Sequence, residues 1–356
     1  MARRGRAVLL VDRARFPRYK VCGGCLNARA LSALEAAGLG DLVESLGGVP
    51  LRNMRMGLGG RTARLRLPNS VALSREAFDN ALARAARDAG AEFLPETSAF
   101  VCSPDDGGRN VRLHAPDATL DTRARLVIAA DGLGGRLFRA QGFNSPSEEG
   151  SRVGAGVVAD LAPDEYEPGT VHMAWAPGAY VGLVRVEDGR LNIAAAFDVT
   201  YLRDAGGMGP AAVVALKNAG FPAVPNLTEL PWRGTPALTR RATLVSAPRA
   251  FVLGDAAGYV EPFTGEGMAW ALTSALALAP IADRALDRPD SAVEQEWSAT
   301  YDSVVRRRQY ICRLIASGLR RPRLMRTAVR VVSTVPGAAK PFLKHINLPF
   351  TQEGFA

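Results

Sequence analysis

The chain has 356 residues, 47% of them hydrophobic, and a net charge of +9, enough to bury one large core or two moderate ones in joined lobes and too apolar for a linker. Apolar stretches such as 271–281 are broken by Thr273, Ser274 and Pro280 and fall short of the about 20 residues that cross a bilayer, so no spanning helix is expected. Four cysteines are too few for a disulfide framework and point to a reducing compartment, the cytoplasm.

The amino-terminal residues are basic and lead into an apolar run at 7–11 that stops at Asp12 without a small-residue cleavage site, so no secretion signal is read. That run reads as a buried parallel strand carrying an acid at its carboxyl end. Helical spacing follows over 27–46, then irregular segments to Val71. Ser74 is the expected cap of a helix whose apolar face carries Ala77, Phe78, Ala81, Leu82 and Ala85, with Gly90 as its stop. Extended segments at 93–101 and 111–115 precede an apolar strand at 125–130 that ends in Asp131-Gly132. From 153 to 197 the chain turns glycine-rich. Strand-like runs at 170–175, 180–186 and 191–197 predict an antiparallel sheet, the last two joined by a turn at 187–190. A buried strand at 250–253 runs into Gly254-Asp255, and a long helix spans about 267–286. From Trp297 the tail is helical and basic.

Asp12 fits the acid that holds an adenosine ribose at the end of a second strand, about 20 residues after a glycine-rich phosphate turn. Only eleven residues precede it, and neither 57–60 nor 132–135 has the required spacing and setting. The phosphate turn is therefore expected upstream of Met1, in a chain clipped at its start, or absent from a fragment that binds its dinucleotide poorly. The densest motif is Gly254-Asp255-Ala256-Ala257-Gly258, followed by Glu261-Pro262 and Gly265-Glu266-Gly267-Met268 at the head of an apolar helix. Glycine lets backbone approach a ligand, and the aspartate accepts hydrogen bonds from sugar-type hydroxyls. Gly265 and Gly267 offer backbone N–H groups and the positive end of a helix dipole to a ring carbonyl that becomes anionic on reduction. A reduced flavin has that property.

Asp131-Gly132, the Gly254 to Met268 run with Pro262, and Lys20-Val21-Cys22-Gly23-Gly24 together resemble geranylgeranyl-reductase-type flavoproteins, within the wider group that holds the aromatic hydroxylases. The likeness extends to about residue 300. It implies an α/β fold, with a Rossmann-like FAD-binding domain interleaved with an antiparallel substrate sheet and followed by a helical tail. The expected division is 1–150 with 240–290 for FAD, 151–239 for the sheet and 291–356 for the tail. The resemblance also implies FAD as cofactor, with NAD(P)H or a protein donor as reductant. It places Asp255 at the ribityl or pyrophosphate region, Arg75 near the flavin chain, and Cys22 with Gly23 close to the ring. A polar residue expected after Asp131-Gly132 is replaced by Gly135.

Cys22-Gly23-Gly24-Cys25 also admits a dithiol reading, though it follows a ribose-type strand and opens no thioredoxin-like helix. His114, His172 and His345 have no ligand spacing, so no metal site is expected. Trp175 and Tyr180 read either as a packed hairpin or as walls of an apolar substrate tunnel. The arginines dense over 306–330 lack the aromatic platform and motifs of nucleic-acid binding. A solvated helix face and contact with an anionic membrane both explain them. The expected activity is reduction of carbon–carbon double bonds in a prenyl or other lipid-like substrate. Two alternatives stay open: hydroxylation of an aromatic or polyketide compound by a monooxygenase, and a flavin-free fragment.

Overall fold

The computed structural model describes residues 1–261, 263, 265–288, 290–334, 348 and 350. The strand before Asp12 forms at Leu9–Val11 and pairs in parallel with Glu92–Leu94. Helix Arg75–Asp88 precedes that partner; the Ser74 hydroxyl accepts from Ala77 N at 3.1 Å, and Gly90 leaves the helix at φ +94°. Both ends follow ordinary capping chemistry. Asn27 does the same for helix Ala28–Ala36, its Oδ1 accepting from Ala30 N at 3.0 Å. A second parallel pair joins Val127–Ala129 to Ala250–Val252, extended by the antiparallel Ser246–Ala247. Among the described residues, Leu9–Val11 and Val127–Ala129 each pair along one edge only, and both line one cavity. Leu9 and Leu10 are accordingly 39% and 37% exposed.

The large sheet has eight strands. Its spatial order is Arg233–Ala237, Val153–Ala159, Leu191–Phe197, Ala179–Arg185, Thr170–Ala176, Val49–Leu58, Arg61–Ala72 and Cys25–Leu26. The expected strands at 170–197 form its centre. The hairpin over 49–72, read from sequence as irregular, is an addition: it turns at Gly59-Gly60, with φ +56° and +73°, and docks in parallel on Thr170–Ala176. Two successive positive φ values at glycine match the hairpin turns that follow strand twist. The sheet therefore draws on chain from both sides of residue 150.

One face is covered by helix Met208–Ala219, whose Ala211, Ala212, Ala215 and Ala219 are fully buried. Small side chains bring the helix so close that a Cβ on Gly57 would lie 2.5 Å from Ala219 O. The interface buries Leu183, Leu191, Ile193 and Phe197 completely, each worth about 1.5–3 kcal/mol against exposure. His172 sits on this face, 2% exposed, with the Tyr166 and Phe221 rings edge-on at 5.0 and 5.7 Å.

The carboxyl-terminal helices Ser291–Tyr301, Arg307–Leu319 and Pro322–Thr334 pack back onto the chain. Trp297 Nε1 donates to Val245 O and Val252 O at 3.1 and 3.2 Å, and Tyr301 Oη to Ala257 O at 3.1 Å. A buried charge cluster ties them to the sheet. Glu261 accepts from Arg152 Nη1 at 2.8 Å and from Arg320 Nη2 at 3.2 Å, while Arg152 Nε reaches Asp198 at 3.0 Å. The Arg152 and Glu261 side chains are 2% and 0% exposed.

Removing Arg152 leaves buried Glu261 with Arg320 as its remaining arginine, so Arg152→Met should cost about 2 kcal/mol or more in urea unfolding, and adding Glu261→Gln should recover part of that loss. Equal losses in single and double variants would show that the pair is not the cause. Burial, helped by the Arg55 charge, lowers the His172 pKa to about 4. The unfolded chain then takes up a proton below about pH 6.5 that the folded chain refuses, so stability falls as the pH drops. His172→Gln should remove about 2 kcal/mol of the stability lost between pH 7 and 4.5; identical pH slopes would contradict this.

Candidate functional site

The opposite face of the large sheet and the two parallel pairs line one cavity of about 2080 Å³. It brings together Asp12, Cys22, Gly23, Arg75, Asp131, Gly132, Gly254, Asp255, Gly265, Gly267, Met268 and Tyr180, which are far apart in sequence. Pro262 lies outside the described residues. Ordinary small-molecule pockets measure about 300–1,000 Å³, so this one can hold an extended ligand and a second molecule beside it.

At one end the charges form a ladder. Asp12 Oδ1 accepts from Ala14 N at 2.8 Å, its Oδ2 lies 3.5 Å from Arg18, and Arg18 lies 3.3 Å from Asp79. Asp79 takes both Arg75 bonds at 2.7 Å, so the Arg75 fork is spent on protein. Burial works against the Arg75 charge, but Cys22, Asp79 and Asp255 outweigh it and raise its pKa. Asp131 is also engaged, Oδ2 accepting from Arg136 N and Leu137 N at 2.6 and 3.0 Å. It holds the turn at Gly132, where φ is +79°.

Midway, Lys20 Nζ lies 3.5 Å from Asp255 Oδ2, beside Gly254, whose φ of +61° suits glycine. Lys20 stood in the motif run, yet only the fold shows its partner. At Gly267 the structure adds a reason for glycine. A Cβ there would lie 3.0 Å from Tyr259 Cε2 and 3.2 Å from its hydroxyl, so the missing side chain makes room for Tyr259, which lines the cavity. Burial, then the Asp255 charge, raises the Tyr259 pKa well above its usual value, and the phenol stays a donor. Helix Gly267–Asp287 starts at Glu266 with no side-chain cap, leaving its first N–H groups for a ligand.

Cys25 Sγ donates to Gly23 O at 3.3 Å, and Asn192 Nδ2 donates to Cys22 O at 2.9 Å. Burial, with Cys22 beside it, pushes the Cys25 thiol up to about 12. A protonated thiol is a poor nucleophile, which weighs against dithiol exchange. Beyond the cysteines the lining becomes apolar: Met54, Met56, Leu65, Met173 and Val184 come from the sheet and Met325 from the last helix. Tyr180 stacks on Trp175 at 5.8 Å, with Phe263 edge-on to both at 5.7 and 5.1 Å. These four methionines, spread over three separate elements, carried no sequence signal.

An acid-bounded end, glycine passages and an uncapped helix start fit an extended flavin dinucleotide, with Asp12, Asp255, Lys20 and the 265–268 backbone within its reach. The FAD binding domain family matches residues 1–190. Menaquinone reductase of Mycobacterium tuberculosis is 28% identical over 307 residues, covering 79% of this chain and 72% of that protein. Digeranylgeranylglycerophospholipid reductase of Methanosarcina acetivorans is 29% identical over 233 residues, covering 63% of this chain and 55% of that protein. The crystal structure of p-nitrophenol 4-monooxygenase from Pseudomonas putida shares the fold with a TM-score of 0.76 at 15% identity, over 97% of this chain and 93% of that one. The chain thus belongs to the FAD binding domain family and is an FAD-dependent oxidoreductase.

Proposed function

We propose that this enzyme reduces a carbon–carbon double bond of a prenyl or other lipid-like substrate. The observation that carries the reading is the continuity of one cavity from the flavin segments into a chamber lined by Met54, Met56, Met173 and Leu65. Flexible, polarizable methionines conform to a long apolar chain without fixing its shape. The two relatives are named as reductases of menaquinone and of a digeranylgeranyl glycerophospholipid, and both substrates are lipid-like.

FAD, when bound, supplies the two-electron chemistry, with NAD(P)H or a protein donor as reductant. In our assignment Asp12 accepts from the ribose, Asp255 with Lys20 holds the ribityl and pyrophosphate region, and Gly132 and Gly254 let backbone approach it. The 265–268 backbone faces the ring, with Cys22 and Gly23 on its edge. Arg75 acts through Asp79 to keep Arg18 and Asp12 in place. Tyr180, backed by Trp175, closes the chamber against water. We place the enzyme in the cytoplasm at a membrane surface. Tyr310, Leu314, Leu324 and Val331 are 44–60% exposed on the last two helices, among the exposed Arg307, Arg321 and Arg323. Apolar side chains framed by arginine suit an anionic lipid surface, while no helix among the described residues is long and apolar enough to cross a membrane.

The shared fold of a monooxygenase supports hydroxylation as the second reading. Oxygen uptake during turnover of a prenylated quinone separates the two. Double-bond reduction predicts product formation under nitrogen, and oxygen consumed in proportion to product would overturn it. Asp255→Ala should weaken FAD binding about tenfold or more, the loss expected for one charged hydrogen-bonding group, as measured by flavin fluorescence titration. Unchanged affinity would remove Asp255 from the site. Leu314→Asp with Leu324→Asp should abolish flotation on phosphatidylserine vesicles without changing FAD affinity; equal flotation would refute the docking face.

A further inference from the structure

Tyr259 stands where the flavin segments and the apolar chamber meet. Its short strand, Gly258–Tyr259, pairs with Arg240–Arg241, and the carbonyls just before it are tied down: Ala257 O accepts from Tyr301 Oη at 3.1 Å and Gly258 O from Gln309 Nε2 at 3.0 Å. The backbone that carries the phenol is thereby fixed. The ring lies edge-on to Trp270 at 6.2 Å and packs against the cluster that holds Met56, Leu65 and Met173. Its hydroxyl lies 3.2 Å from where a Cβ on Gly267 would be. One side chain thus touches both the chamber and the start of the helix assigned to the flavin. Three other protic groups lining the cavity are spent or sealed. The Cys25 thiol donates to Gly23 O, Ser70 Oγ donates to Pro68 O at 2.8 Å, and Tyr180 Oη is shut inside its aromatic cluster. The Tyr259 side chain is half-buried and lines the cavity, and among the described residues no protein group takes its proton. A polar group left unpaired beside an apolar chamber calls for a partner in what the chamber holds.

We propose that Tyr259 is a catalytic residue, the proton donor that completes reduction of the double bond. Saturating a carbon–carbon double bond takes a hydride and a proton. The hydride, supplied with oxidation of the reduced flavin, forms a C–H bond at one carbon. As the π bond breaks, the electron pair left on the neighbouring carbon takes the phenol proton: the Tyr259 O–H bond breaks and the second C–H bond forms. A phenolate remains until water returns a proton after the saturated product leaves. Burial first, and then Asp255 and Cys22, keep the proton on oxygen until that carbon draws it away, while the Arg75 charge favours the phenolate. A phenol suits the task because it carries its proton through the whole neutral range and brings no charge into the apolar chamber.

This inference rests on the double-bond reduction proposed above. The test reduces the full FAD-loaded chain with dithionite under nitrogen and mixes it with a long-chain prenylated quinol, whose ring takes no electrons, with the saturated product measured by mass spectrometry. Affinity for the matching quinone is read separately, from the flavin bands of the oxidised chain. Tyr259→Phe keeps the ring and removes only the hydroxyl. It should slow saturation about a hundredfold or more, with affinity for FAD and for the quinone unchanged. An unchanged rate, or a fall in rate matched by a fall in quinone affinity, makes Tyr259 a wall of the chamber and overturns the inference. If Tyr259→Phe keeps the parent rate while Cys22→Ala loses it, the proton comes from the thiol and the inference fails in the same way. If Tyr259→Phe does not hold FAD, 3-fluorotyrosine at position 259 changes the acidity of the phenol and little else; a rate that moves with it supports the donor, and an unmoved rate overturns it. A parent chain that saturates nothing overturns double-bond reduction itself, and this inference with it.

Discussion

A sheet with two apolar faces has to cover both, and here the two covers differ in kind. On one side an alanine-rich helix lies close enough to exclude everything else, with Gly57 giving way to its backbone. On the other side Met325 and Val329 of helix Pro322–Thr334 pack on part of the sheet, which also looks across a cavity toward Cys22, Gly254 and the start of helix Gly267–Asp287. The first face is closed by packing, and the second leaves methionine and small residues to line the cavity. Stability and function are divided between the faces of one element.

Charge is divided in the same way. The surface arginines of the tail face solvent, but Arg308 and Arg320 reach inward to Glu266 and Glu261, two buried carboxylates just ahead of helix Gly267–Asp287. Arg152 joins them from the sheet. These carboxylates tie the approach to that helix to the tail and the sheet, at a desolvation cost offset by the arginines. The tail is thus a structural support of the site as well as its outer surface.

Much of this was legible because local chemistry carries it. Ser74, Asn27 and Gly90 mark helix ends through their own hydrogen bonds and φ preferences, and Asp131-Gly132 and Gly254-Asp255 mark strand ends beside a cavity. The hairpin over 49–72 reads as irregular from sequence, although Ala63 and Leu65 alternate with exposed Arg64 and Arg66 after a Gly59-Gly60 turn. What no local pattern could reveal is pairing across the chain. Lys20 with Asp255, Arg18 with Asp79 and Arg308 with Glu266 are separated by up to hundreds of residues, and the chamber methionines meet only when separate elements assemble.

The central claim is that one cavity holds the flavin and a lipid-like substrate in contact. Titrating the FAD-loaded chain with a long-chain prenylated quinone, under nitrogen and without reductant, tests it directly through the visible spectrum of the bound flavin. The account predicts a saturable shift of the flavin bands that is lost when Met54 and Met173 are replaced by glutamate in chains that still hold FAD. A flavin bound one per chain whose spectrum does not change up to the solubility limit of the quinone would contradict it.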